Sequence, residues 1–361
     1  MTQRDMTQRS IGSAYMEWVK TSTSGTKYNL ANSGVKSYPL SNLPVDFASL
    51  QLTGPGAYGY APLVEAIARK CGVPKENVAT ALGTSGANHL AMAVLLELGD
   101  EVIVEHPGYP LLWECASYHG AEVKFFERRA EDKFAINVDD LRKLVTPKTK
   151  LIVITNLHNP SCAFTDTATL KQVGELGPRI LVDEVYLDLL YDQTLETSFK
   201  LGDQFVVSNS LTKVYGLSGP RCGWVLASAD IVKKIYRLND LFGVNNPYVT
   251  DQISCVALAH LPEIAAWSRD LLAKHRTIAN EFLKATPSLE SDPLTAGTVI
   301  FPKSPVPVDR LCQLLRRKYD TVITPGHFFG APDRIRVGIG GETATLTEGL
   351  VRLQSALKDL A

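Results

Sequence analysis

Two uninterrupted apolar runs constrain the fold most: residues 151–155 (Leu-Ile-Val-Ile-Thr) and residues 180–183 (Ile-Leu-Val-Asp). A strand with one wet face alternates apolar and polar residues, because successive side chains point to opposite sides. Runs without that alternation belong to strands covered on both faces, as in a parallel sheet between two layers of helices. Strand-like segments recur at residues 77–82, 101–105, 122–126, 204–207 and 223–227. Residues 62–70 carry helical spacing, with Pro62 in the first turn and Leu63, Ala66 and Ile67 on one face, and residues 89–98 form an apolar helix. Helices fall between most of the strands. The expected fold class is α/β, with a large domain built on a mostly parallel, doubly covered sheet of seven-stranded type and a smaller α+β domain.

The strand–helix alternation stops after Leu261. Residues 262–285 read as one long helix, residues 298–301 and 334–338 as short strands, and residues 308–318 and 343–360 as helices around them. The first 45 residues are irregular apart from a short helix near residues 15–18. We therefore expect a large domain over residues 46–262, and a small domain from residues 1–45 together with 263–361.

Composition excludes several function classes. Of 361 residues, 45% are hydrophobic and 21% charged, an ordinary globular mix, and the net charge of −1 gives no basic footprint for nucleic acid or an anionic membrane. No apolar run approaches the roughly 20 residues that span a bilayer, and the first ten residues lack the apolar core of a secretory signal. None of the six cysteines (Cys71, Cys115, Cys162, Cys222, Cys255 and Cys312) forms a Cys-x-x-Cys pair or has histidines at metal spacing. The expectation is reduced thiols in a cytoplasmic protein without a bound metal. Gly54, Gly56 and Gly59 fit G-x-G-x-x-G, but a poor strand precedes them and no acidic residue closes a second strand about 20 residues on. A glycine-rich turn is the better reading.

The chemistry concentrates at strand ends, where open α/β sheets bind ligands. Gly83-Thr84-Ser85-Gly86-Ala87 places small residues at a helix start, where free N–H groups and hydroxyls form a phosphate cup. Asn159, past the 151–155 strand, carries an amide able to donate to a phenolate oxygen. Asp183 ends the next strand and can pair with a protonated ring nitrogen, and Tyr186 is three residues on. Lys213 follows a buried strand in a loop of small residues, a setting that dries a lysine and lowers its pKa, as a Schiff-base lysine requires. Ser210 precedes it by three residues and Arg221 follows by eight, both suited to a phosphate. Taken singly, each has a plainer reading: helix cap, Asn-Pro turn, N-cap, surface ion pair.

Together, Asp183-x-x-Tyr186 and Ser210-x-x-Lys213 with Arg221 resemble the pyridoxal-phosphate-dependent aminotransferases of fold type I, class I/II, over about residues 30 to 345. The resemblance implies pyridoxal 5′-phosphate as cofactor, with Lys213 as Schiff-base lysine and proton shuttle. Asp183 would pair with the pyridine nitrogen, Asn159 and Tyr186 would bond the ring oxygen, and Tyr109 would stack on the ring. Thr84, Ser85, Gly86, Ser210 and Arg221 would hold the phosphate. Because sites in this family lie at a dimer interface, Tyr58 would reach the phosphate of a neighbouring subunit. Arg336 resembles the arginine that clamps the substrate α-carboxylate, chosen over Arg334 on the family pattern, and Gly34 the loop glycine over the substrate. One departure is Cys162 where the family has glycine after Asn159-Pro160-Ser161, so the turn is expected to take a backbone that a Cβ allows. A second is Leu241 near the place where some dicarboxylate-specific relatives have an arginine, which disfavours aspartate as substrate.

The activity so implied is transfer of an amino group from an L-amino acid to a 2-oxo acid in a cytoplasmic homodimer, with no nucleic-acid or membrane partner. Another reaction of the same cofactor (β-elimination, cyclisation or oxidation) is not separable by sequence. A non-enzymatic ligand-sensing domain ranks last, since the sequence shows no basic DNA-binding extension.

Overall fold

The structure is a computed structural model and describes residues 11–55, 57–191 and 195–361. Its centre is a seven-stranded sheet: β1 (Val78–Leu82), β2 (Glu101–His106), β3 (Glu122–Glu127), β4 (Thr149–Thr155), β5 (Arg179–Asp183), β6 (Phe205–Ser210) and β7 (Cys222–Leu226). Across the sheet the order is β1-β7-β6-β5-β4-β2-β3. β7 is antiparallel to both neighbours, and the other pairs are parallel. The apolar runs behave as their pattern requires. Ile152, Ile154, Ile180 and Val182 enter one core, while Leu151, Val153 and Leu181 enter the other, and all seven are fully buried. At about 1.5–3 kcal/mol for each fully buried aliphatic side chain, two-faced burial of such strands holds the sheet in place.

Helices cover both faces. Gly83–Leu95 starts directly after β1, six residues earlier than the sequence pattern suggests, so the small residues 83–87 are themselves its first turn. Helices Pro110–Tyr118, Val138–Leu144, Thr167–Gly174 and Ala229–Asn239 fill the connections. The long helix Leu261–Ala285 follows Tyr248–Ala259. Beyond it, Val299–Ile300, Thr324–Pro325 and Ile335–Gly338 form a three-stranded antiparallel sheet with Ile335–Gly338 in the middle. Tyr28–Asn29 pairs in parallel with Thr321–Val322, tying the amino-terminal segment to the carboxyl-terminal elements. Helix Thr343–Leu360 buries Leu346, Leu350, Leu353 and Leu357, one stripe at helical spacing. Among the described residues no helix is long and apolar enough to cross a membrane.

Candidate active site

Parallel pairing brings the ends of β4, β5 and β6 level. Thr155 lies opposite Asp183, and Asp183 opposite Ser208. Asp183 is buried there; it accepts from Asn88 Nδ2 at 2.9 Å and from the Val185 N–H at 3.1 Å. Burial pushes its carboxyl up to about 6, against the pull of those hydrogen bonds and of Lys213. Lys213 sits three residues beyond the end of β6, and its Nζ lies 3.1 Å from Ser33 Oγ. Burial lowers the ammonium to about 8; the Arg336 and Arg221 cations add to the effect, and Asp183 opposes it. Gly34 allows the amino-terminal segment to lie on the lysine. The Val35 N–H donates to the Lys213 carbonyl at 2.9 Å, and a Cβ on Gly34 would be 3.4 Å from Lys213 Cδ.

Arg336 is fully buried on the middle strand of the small sheet. It donates to Asn159 Oδ1 at 3.1 Å, to the Tyr15 hydroxyl at 2.7 Å and to the Ala31 carbonyl at 3.1 Å. The Phe329 ring lies 4.5 Å from the guanidinium carbon. Among the described residues its Nε has no partner. Arg334 diverges from it, donating to the Phe301 carbonyl and stacking over Phe134 and Phe301. With Asn159 Oδ1 committed to Arg336, the amide nitrogen is the group Asn159 has left to offer.

At the other end, helix Gly83–Leu95 points its amino terminus toward the end of β6. Thr84 Oγ1 is 2.7 Å from Ser210 Oγ, which also accepts from the Thr212 N–H at 3.3 Å. Arg221 adopts a left-handed backbone (φ 56°), and among the described residues its side chain bonds two carbonyls, of Ser218 and Leu82. It lies so close over Gly83 that a Cβ there would strike its Nη2.

These groups surround one cavity of about 390 Å³, lined by Thr84, Ser85, Tyr109, Asn159, Asp183, Tyr186, Lys213 and Arg221 among others. Its charge is unbalanced. Among the described residues none of Lys213, Arg221 and Arg336 has a carboxylate partner within 4.0 Å. Lys213 and Arg221 line the cavity with one buried acid, Asp183, and Arg336 bonds its lining residues Tyr15, Ala31 and Asn159 from behind. The buried Tyr186 hydroxyl and Thr212 Oγ1 lack partners at hydrogen-bond geometry. Uncompensated buried donors of this kind cost about 1–3 kcal/mol each, so they fit a ligand that supplies acceptors. An anionic group at the helix end beside Arg221, a ring oxygen near Asn159 and Tyr186, and a ring cation at Asp183 would satisfy them together. Pyridoxal 5′-phosphate has those three features.

Five sequence-derived candidates lie off the cavity wall. Gly34, Ser210 and Arg336 stand just behind it, Gly34 packed on Lys213, Ser210 bonded to Thr84 and Arg336 bonded to Asn159. Gly86 is one position further along the helix, against Leu82 and Ala81. Tyr58 is exposed, donates to Asp240 Oδ2 at 3.0 Å and packs against Tyr236. Sequence reasoning missed Asn88, Ser33 and Tyr15. Asn88 was within reach, being one helical turn after Ser85; Ser33 and Tyr15 arrive through contacts 180 and 321 residues away in sequence. The turn at Cys162 corrects an expectation. Its φ is 63°, so it keeps the left-handed backbone that suits glycine, and its sulfur fills the space left by Gly297. The fold also brings donor atoms of His89, Cys115 and His119 within 4.8 Å of one another; Cys115 and His119 are one helical turn apart, and His89 joins them from helix Gly83–Leu95.

The comparisons with known proteins agree with this geometry. The family model described as aminotransferase class I and II matches residues 48–353. Capreomycidine synthase of Streptomyces vinaceus is 29% identical over 94% of this chain and 92% of its own. Arginine–pyruvate transaminase AruH of Pseudomonas aeruginosa is 31% identical over 60% of this chain and 57% of its own. A pyridoxal-phosphate-dependent aminotransferase from Streptococcus suis superposes with a TM-score of 0.90 at 27% identity, covering 96% of this chain and 97% of that one. The chain belongs to the class I and II aminotransferases, a family whose members use pyridoxal 5′-phosphate.

Proposed function

We propose that the protein is a transaminase that moves the amino group of an L-amino acid to a 2-oxo acid at Lys213. The observation that carries this reading is the cavity charge: Lys213 and Arg221 on the wall and Arg336 behind it, without carboxylate partners among the described residues, beside one buried aspartate. Bound pyridoxal phosphate supplies an electron sink for the charge left at the substrate Cα. The rest of the work falls to the chain. Arg336 clamps the α-carboxylate with its planar fork, steadied by Tyr15 and Asn159. Thr84, Ser85, Gly86, Ser210 and Arg221 hold the phosphate, the helix amino terminus adding its partial positive charge. Tyr109 covers one ring face. Lys213 Nζ, with its pKa lowered to about 8, would take the proton from the substrate Cα and carry it to C4′ of the cofactor on the same face.

The same reading divides the chain into a cofactor-binding part, residues 46–262, and a smaller part from residues 1–45 and 263–361. It takes the working unit to be a cytoplasmic homodimer in which Tyr58 reaches the neighbouring phosphate. Six free cysteines support a reducing compartment.

A second reading is favoured by one observation, the likeness to a named synthase over nearly the whole chain. On that reading the same residues of this chain serve cyclisation of an amino acid. The need for an acceptor separates the two. A transaminase given an amino acid alone loses the visible absorbance of its cofactor once and stops, until a 2-oxo acid restores it. Continuous consumption of the amino acid with no 2-oxo acid present would replace transamination by the synthase reading.

A further inference from the structure

Behind Tyr109 a groove of about 290 Å³ runs between helices Gly83–Leu95 and Pro110–Tyr118, with residues 11–13 across its top. It shares Ser85, Asn88 and Tyr109 with the cofactor cavity, so the two spaces adjoin. The carboxylate in its wall is Glu114. Its Oε2 is shielded from solvent and has no hydrogen-bond partner, and no lysine, arginine or histidine pairs with it among the described residues. Burial pushes the carboxyl up, and the nearby Ser13 hydroxyl only partly offsets this. The other titratable groups on the groove add no balancing charge. Burial lowers the pKa of His89, favouring the neutral imidazole, and raises the Cys115 thiol to about 12. A carboxylate oxygen held dry and unpaired is costly, and a cation brought to it removes that cost.

Glu114 is set back from the part of the wall that the two spaces share. Glu114 lies five residues past Tyr109, about 7.5 Å along the helix axis at 1.5 Å per residue. A side chain entering from the cofactor cavity must pass Tyr109 to reach it, which calls for an unbranched chain of several carbons with a charged end. We propose that Glu114 determines specificity by receiving the guanidinium or alkylammonium end of an amino acid whose α-carboxylate sits on Arg336. The proposal rests on the reading of the cavity given above and adds the substrate class to it.

The test uses the protein loaded with pyridoxal phosphate. Arginine and lysine are titrated against citrulline and norleucine, which have comparable length and no side-chain charge, and Kd is read from the change in visible absorbance. The cationic amino acids should bind roughly tenfold or more tightly, as expected for a desolvated charge pair. Whichever of arginine and lysine binds better distinguishes a guanidinium site from an ammonium site. Glu114→Gln keeps the side-chain shape and should erase the preference while leaving norleucine binding unchanged, which also reports an intact fold. Equal binding of charged and neutral amino acids by the wild type overturns the proposal without any variant, as does a preference that survives in Glu114→Gln. Both of those outcomes leave the cavity reading standing. Loaded protein whose spectrum responds to no amino acid at all overturns the cavity reading and this proposal with it.

Discussion

At Lys213, two arginines and a dry pocket act against a single aspartate, and the balance brings the ammonium to about 8 from an ordinary 10.5. Because the folded value lies below the unfolded one, the unfolded chain holds more protons between these two pH values, so the apo protein gains stability as pH rises across that window. The neutral amine is also the form that attacks an aldehyde. Loading of the apo protein with pyridoxal phosphate, followed by visible absorbance, should therefore accelerate through about pH 8 and level off well short of 10.5. A rate still climbing toward 10.5 would mean that Arg336 and Arg221 do not depress this lysine. Lys213 and Asp183 were legible in sequence because Asp183 ends a strand and Lys213 follows one in a loop of small residues, and strand ends are where the sheet presents its ligands. Asn88, which holds the Asp183 carboxylate, carries no such mark; what picks it out is its distance from Ser85 once the helix is known to start at Gly83.

Helix Gly83–Leu95 is the element whose start decides the phosphate end of the cavity. Its first turn lies outside the apolar pattern of residues 89–98 because Gly, Thr, Ser, Gly and Ala show no apolar period and no capping side chain. What starts it is backbone: the Gly83 N–H donates to the Arg221 carbonyl at 2.7 Å, and Gly83 takes φ 71° under the Arg221 guanidinium. Gly83→Ala should therefore cost about 1–3 kcal/mol of stability, since a Cβ meets both a left-handed backbone and the arginine. It should also weaken pyridoxal phosphate binding by displacing Arg221. Thermal unfolding and a cofactor titration check the two effects, and an unchanged cofactor affinity would remove Arg221 from the phosphate site. Cys162 shows the opposite case, where a side chain tolerates the left-handed backbone because Gly297 leaves room for its sulfur.

Over the whole molecule, the large sheet was the legible part. Two-faced burial writes itself into sequence as unbroken apolar runs, and all seven strands fall where those runs and their shorter relatives lie. The small sheets were harder to see. Tyr28–Asn29 and Thr321–Val322 are two-residue strands, too short for any period, and their pairing joins segments almost 300 residues apart. That join carries Ser33 and Gly34 to Lys213, and Tyr15 and Ala31 to Arg336. The cavity is thus assembled from the first forty residues, five strand ends and the small sheet at once. The central claim is that this assembly exists to hold pyridoxal phosphate on Lys213. Borohydride reduction of the loaded protein fixes the cofactor to whichever lysine carries it, and peptide mass spectrometry then names that lysine. The account predicts the added mass on the peptide containing Lys213 alone; a modification centred on any other lysine, or on none, would contradict it.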